Sequence, residues 1–193
     1  MRFIYSKGAT PLSPDEIHNL IPSHLTVQKE LDEWEQYNIL KAENWLSGKK
    51  NLDILNIKFI QNLHYRMFKD TWKWAGKYRK TQTNIGVDSI YIAQELGILL
   101  DDVKFWIENK TYGLREIGIR LHHRMVYIHP FINGNGRFTR LIADLFIRSK
   151  GEKCYSWGKC NLTNDSDIRQ KYLDALKMAD KGEYDKLIKF ADS

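Results

Sequence analysis

Cysteine is almost absent from this chain: 193 residues contain only Cys154 and Cys160. Two thiols cannot complete a four-ligand zinc site unaided, and they cannot build a disulfide scaffold. Both are expected to be free and reduced. There are four prolines, and three of them (Pro11, Pro14 and Pro22) fall within the first 27 residues. No segment approaches the roughly 18 apolar residues that span a bilayer. Met1–Lys7 carries no apolar run of the signal-peptide kind, so the expected location is cytoplasmic, with no membrane partner. Internal repeats and low-complexity tracts are lacking as well, which excludes solenoid and fibrous classes.

What is present suits an ordered, single domain. The apolar share is 42%, with six Trp, ten Tyr and eight Phe, enough for a sizeable core. Thirty Lys and Arg against twenty-four Asp and Glu leave a charge of +6. That excess fits an anionic partner such as a nucleotide, and equally a solvated basic surface. A nucleic-acid partner has only the charge in its favour, because no interleaved aromatic and basic motif accompanies it.

Residues 1–27 read as an extended N-terminal arm with a helical turn near Asp15–Asn19, followed by one domain over residues 28–193. Thr26 is expected to cap a helix from Gln28 to about Ser47, with Leu31, Trp34, Asn38, Ala42 and Trp45 facing inward. A second helix is expected at about Asp53–Lys69, a third at about Ala93–Asn109 and a central buried one at Leu114–Ile128. Between them, Arg79–Ile92 is rich in branched residues around Gly86–Ser89 and predicts a small β-hairpin. Helical period resumes over Gly136–Ser149, stopped by Gly151 as a C′ residue. Thr163-Asn164-Asp165 offers capping for a helix to about Asp180, and a short helix closes the chain at Tyr184–Phe190. The fold class is all-α with one hairpin.

The chemistry concentrates in His129-Pro-Phe-Ile-Asn-Gly-Asn-Gly-Arg-Phe-Thr-Arg140. This loop lies between two helices, so its second half opens a helix N-terminus, a ready site for phosphate oxygens. Gly134 and Gly136 let the backbone form an anion-binding nest. Arg137 and Arg140 lie three apart on one helical face, and two guanidinium forks can hold the outer phosphates of a nucleotide. The Gly-Lys-Ser/Thr ending of a Walker loop is missing. His129, just ahead of the nest, is a candidate general base, and Asn133 could offer an oxygen to Mg²⁺. His122 and His123 point about 100° apart on a helix and cannot readily share one ion.

His129–Arg140 resembles the signature of Fic-domain proteins, His-x-Phe-x-(Asp/Glu)-Gly-Asn-Gly-Arg-x-x-Arg, at every fixed position but one. Trp74–Arg79 and His123–His129 extend the resemblance, and Gly8–Leu12 with Glu30–Gln36 is similar to the subfamily called mobile mystery protein B. The resemblance implies a Fic fold that transfers AMP from ATP to a Ser, Thr or Tyr hydroxyl of a target protein. It implies that His129 deprotonates that hydroxyl and that Phe131 anchors the loop. Gly134, Asn135 and Gly136 would form the anion hole, while Arg137 and Arg140 would hold the β- and γ-phosphates. It makes the hairpin a flap that docks an extended target segment through Thr83, Asn84, Ile85, Gly86, Ile90 and Tyr91. Asn133 stands where the family has Asp or Glu on Mg²⁺, and a neutral amide brings no charge to a metal. Thr26-Val-Gln-Lys-Glu30 is similar to an inhibitory motif whose Glu pairs with the last Arg, but Leu31 replaces its Gly or Asn; the alternative is an ordinary helix start. Two functions remain open beside AMP transfer: a nucleotide-binding regulatory module, and a Fic-like phosphotransferase. Oligomeric state is also open.

Overall fold

The computed structural model describes residues 14–49, 51–159 and 166–193. Gly8–Leu12, Cys160 and the expected Thr163–Asp165 cap lie outside them. Among the described residues the helices are α1 (Pro14–Asn19), α2 (Gln28–Ser47), α3 (Ile57–Phe68), α4 (Ile92–Glu108), α5 (Leu114–Ile128), α6 (Asn135–Ser149), α7 (Ser166–Ala179) and α8 (Asp185–Asp192). The chain divides into two compact units. The first holds the described residues up to 79 together with 131–133; the second holds 80–130 and 134–193.

In the first unit, α2 packs on α3. Leu31, Ala42 and Leu46 meet a core that includes Ile60, Leu63, Met67, Phe68 and Trp72, all at most 2% exposed. Each such side chain contributes about 1.5–3 kcal/mol by leaving water. Two polar pairs lie inside this core: Trp72 Nε1 donates to Glu35 Oε1 at 2.6 Å, and Asn38 Nδ2 donates to Thr71 Oγ1 at 3.0 Å. Residues 19–21 are tied to this core, with an isolated bridge between Leu20 and Trp72 and a 2.8 Å bond from Ile21 N to Thr71 O.

Several expectations change here. Thr26 is not the cap of α2; Val27 is, with no side-chain bond. Glu30 instead reaches back, its Oε2 accepting from Thr26 N, one residue before that cap, at 3.4 Å. Trp34 and Trp45 are half-buried, and Glu35, Ile39 and Leu46 take the inner positions. The two indoles serve the rim: Trp34 Nε1 donates to Asp70 O at 3.2 Å, and the Arg66 guanidinium lies 3.9 Å from the Trp45 ring. Helix α3 starts four residues later than its pattern suggested. Asn56 sets the start, its side chain accepting from Lys58 N at 2.9 Å.

In the second unit, α5 packs against both α4 and α6. Ile117, Leu121, Met125 and Ile128 of α5 are fully buried, as are Phe138, Ile142 and Ala143 of α6. Gly118 is fixed by close approach: a Cβ there would sit 2.3 Å from the Tyr155 hydroxyl, which donates to Arg115 O at 2.6 Å. Asp144 accepts from Tyr155 N and from Trp157 Nε1, each at 3.0 Å. Those residues are tied in turn to α8 by a 2.8 Å bond from Ser156 N to Ala191 O.

The hairpin expected over Arg79–Ile92 is not formed; no strand occurs among the described residues, and no bridge joins two residues of that stretch. A bend-rich loop leads instead into a 3-10 turn at Ser89–Tyr91. Short side-chain bonds displace the ladder here: Thr83 Oγ1 donates to Ile85 O, Ser89 Oγ to Lys80 O, and Asp88 Oδ1 accepts from Ile90 N. The branched residues that suggested strands also lack a buried face, Ile85 being 58% and Ile90 73% exposed. A lone two-stranded ribbon gains little under those conditions.

Candidate functional site

Helix α5 ends on His129, which is its C-cap and donates its N–H to Met125 O at 3.1 Å. His129 has φ 51° and ψ 60°, the left-handed region. A residue with a Cβ pays about 1–2 kcal/mol to stand there. Gly134, the N-cap of α6, adopts φ 76° without that cost and accepts from Phe138 N at 3.0 Å. Two left-handed residues therefore bracket the turn between the central helices. A turn alone would be served better by glycine or asparagine at both ends. The imidazole at position 129 is thus retained against the local backbone preference, as residues with a chemical task are.

Within the second unit the structure brings His129, Gly134, Asn135, Gly136, Arg137 and Arg140 onto the packed ends of α5 and α6. Asn135 is buried, and the positive dipole end of α6 lies at Gly134–Gly136. Arg140 has lost much of its water. Burial works against its charge, the nearby Tyr172 partly restores it, and Arg137 adds repulsion. Two arginines three positions apart at a helix N-terminus form a cationic end suited to phosphate oxygens.

Phe131 and Asn133 belong to the first unit. Phe131 is fully buried and stacks on His64, ring centroids 3.6 Å apart and planes at 11°. It also bridges to Tyr78, whose hydroxyl burial pushes up to about 12. His64 fixes the backbone beside it. Its Nδ1 accepts from Gly76 N at 3.0 Å, so Nε2 carries the proton and donates to Asn133 O at 3.2 Å. Asn133 is exposed. Thr26 and Glu30 also lie in the first unit, bonded to each other as described. The six docking residues, Thr83, Asn84, Ile85, Gly86, Ile90 and Tyr91, lie in the second unit, on the loop before α4.

Two contributors escaped the sequence reading. His64 sits on the inner face of α3 between Ile60 and Phe68, where spacing marks it only as core. Tyr172 lies on α7, 32 positions beyond Arg140, and nothing local links them. His123 bonds Tyr184 Oη and Asp180 Oδ1, each at 2.9 Å.

The buried imidazoles give a pH prediction. Burial holds the His122 pKa well below the ordinary 6.5 and lowers that of His123. Below pH 6.5 the unfolded chain therefore binds protons that the folded chain refuses, and stability falls on acidification. A proton fully refused by the folded chain costs about 1.4 kcal/mol per pH unit, and the deeper shift of His122 makes it the larger contributor. Asp144 opposes them, because burial raises its carboxyl to about 6 and the folded chain takes that proton first. Urea titrations at pH 7, 6 and 5 should show a net loss of stability, shallower in His122→Gln.

Comparison with known proteins agrees with this geometry. Residues 54–147 match the Fic/DOC family model. "Protein adenylyltransferase Fic" of Aedes aegypti is 26% identical over 142 residues, covering 72% of this chain and 27% of that protein. The same-named protein of Drosophila grimshawi is 26% identical over 140 residues, 70% and 28% of the two chains. The chain thus spans little more than a quarter of the length of these curated relatives. Among solved structures, Fic-1 of C. elegans superposes with a TM-score of 0.65 at 23% identity, over 82% of this chain and 46% of that one. BepC of Bartonella tribocorum, solved with bound AMPPNP, gives 0.67 at 16% identity, over 97% and 93%. These likenesses establish the fold, and the residues the family model covers include the helical pair carrying His129 and Arg140. Over residues 54–147 this chain is thus similar to the Fic/DOC family, and it shares the fold of the solved Fic-domain structures.

Proposed function

We propose that the chain transfers AMP from ATP to a Ser, Thr or Tyr hydroxyl of a target protein. The observation that carries this reading is the left-handed His129, held beside an arginine-bearing helix N-terminus despite its backbone cost. In the proposed reaction His129 takes the hydroxyl proton as the oxygen attacks the α-phosphate. The new O–P bond forms, the bond to the β-phosphate oxygen breaks, and pyrophosphate leaves. Gly134, Asn135 and Gly136 stabilise the charge developing on the α-phosphate, while Arg137 and Arg140 hold the β- and γ-phosphates. The exposed Ile85, Ile90 and Tyr91 offer an apolar edge for the target segment. The names of the curated relatives support the same chemistry.

The residues present do not fit a protein-held Mg²⁺. The loop offers only the neutral Asn133, and among the described residues no three metal-binding side chains cluster. Mg²⁺ prefers one or two carboxylates beside phosphates. Asn133 accordingly favours the second reading, a nucleotide-binding regulatory module or a phosphotransferase. The inhibitory role of Glu30 has the sequence pattern as its support, and its bond to Thr26 N supports the plain helix start. ATP labelled at the α- or the γ-phosphate separates the reactions. Label reaching protein only from the α position is expected. Label only from the γ position would establish a kinase, and none would leave a binding module.

A further inference from the structure

Arg140 is held by groups that lie outside the glycine loop. Tyr172 of α7 is 6% exposed, and its hydroxyl lies 3.0 Å from His122 Nε2. The Arg140 side chain lies against the same residue, its guanidinium carbon 5.7 Å from the ring centroid, which puts the hydroxyl within reach of its N–H groups. Arginine can only donate, so the phenol oxygen accepts from Arg140 and has its own proton free to give. The group positioned to receive it is His122 Nε2, which must be the unprotonated nitrogen. His122 is fully buried, among the Tyr172 and Trp157 rings at 5.9 and 4.7 Å, and burial keeps it neutral as this requires. With His122 in the tautomer that leaves Nε2 unprotonated, the donor order is Arg140 to Tyr172, Tyr172 to His122.

We infer that Tyr172 and His122 are positioning residues for Arg140, holding its guanidinium where the terminal phosphate of a nucleoside triphosphate binds. This rests on the proposed role of Arg140. Neither residue touches the nucleotide. A long side chain with many rotamers is held in one, so less freedom is lost when the phosphate arrives. His122 matters because it orients the hydroxyl: without an acceptor, the phenol proton could turn toward the guanidinium and oppose it. The relay should affect only ligands that carry the outermost phosphate.

The test compares binding of AMPPNP and ADP to the full chain by calorimetry, with melting curves confirming the fold. Arg140→Gln should weaken AMPPNP at least tenfold and leave ADP within about twofold. Tyr172→Phe keeps the ring and removes the hydroxyl, and should weaken AMPPNP about tenfold, the scale of one hydrogen bond to a charged group. His122→Leu should do the same, while His122→Gln, which returns an acceptor near the Nε2 position, should recover most of the loss. A normal Tyr172→Phe beside a weakened Arg140→Gln overturns the relay and leaves the Arg140 reading standing. A normal Arg140→Gln overturns that reading and the relay with it. Equal losses for AMPPNP and ADP in Tyr172→Phe would mark a structural role only and also overturn the inference.

Discussion

His129→Asn should abolish AMP transfer while leaving the fold intact. Removing a positioned general base costs about 10²–10⁴-fold in rate, and no other imidazole stands in the turn to replace it. The fold should tolerate the change for a specific reason. Position 129 is left-handed, with φ 51°, and asparagine enters that region more easily than most residues. Alanine would confound the two effects, because it loses the imidazole and keeps the backbone penalty. Melting curves and label transfer measured on one preparation separate them. A large fall in the melting temperature would mean that the ring serves packing; retained transfer would remove His129 from the chemistry.

Phe131→Ala should be the most destabilising single change in the loop. The side chain is fully buried and lies face to face with His64. Phenylalanine-to-alanine changes in cores cost about 3–5 kcal/mol, or a fall in Tm of roughly 6–20 °C for a protein of this size. The gap would also unsupport the ring that donates to Asn133 O. Phe131→Leu, which refills most of the volume, should recover more than half the loss. A shift below about 2 °C in Phe131→Ala would show that the loop is anchored elsewhere.

Much of the fold was legible because it is written in short-range periodicity. The bounds of α2 and α5 follow from apolar spacing alone, and α6 differs from expectation by one residue. The Arg79–Ile92 stretch misled because branching mimics a strand, whereas strand formation needs a partner face that no local pattern reports. The loop itself was readable, since its glycines, imidazole and arginines are consecutive. Its supports were not. His64 and Tyr172 act across long sequence separations, and a single sequence carries no mark that pairs them with Phe131 or Arg140. Trp34 and Trp45 make the same point: their spacing is that of a core, and their indole and cation contacts place them at its rim.

The insertion of 131–133 into the first unit also bears on how the chain is made. His64 and Asn133 are separated by 69 positions. At about 5–20 residues per second, roughly 3–14 s pass on the ribosome between the two. During that interval α2 and α3 can pair while the face of His64 waits for Phe131. The nascent protein therefore carries an open aromatic surface for seconds, a natural place for a chaperone to hold it.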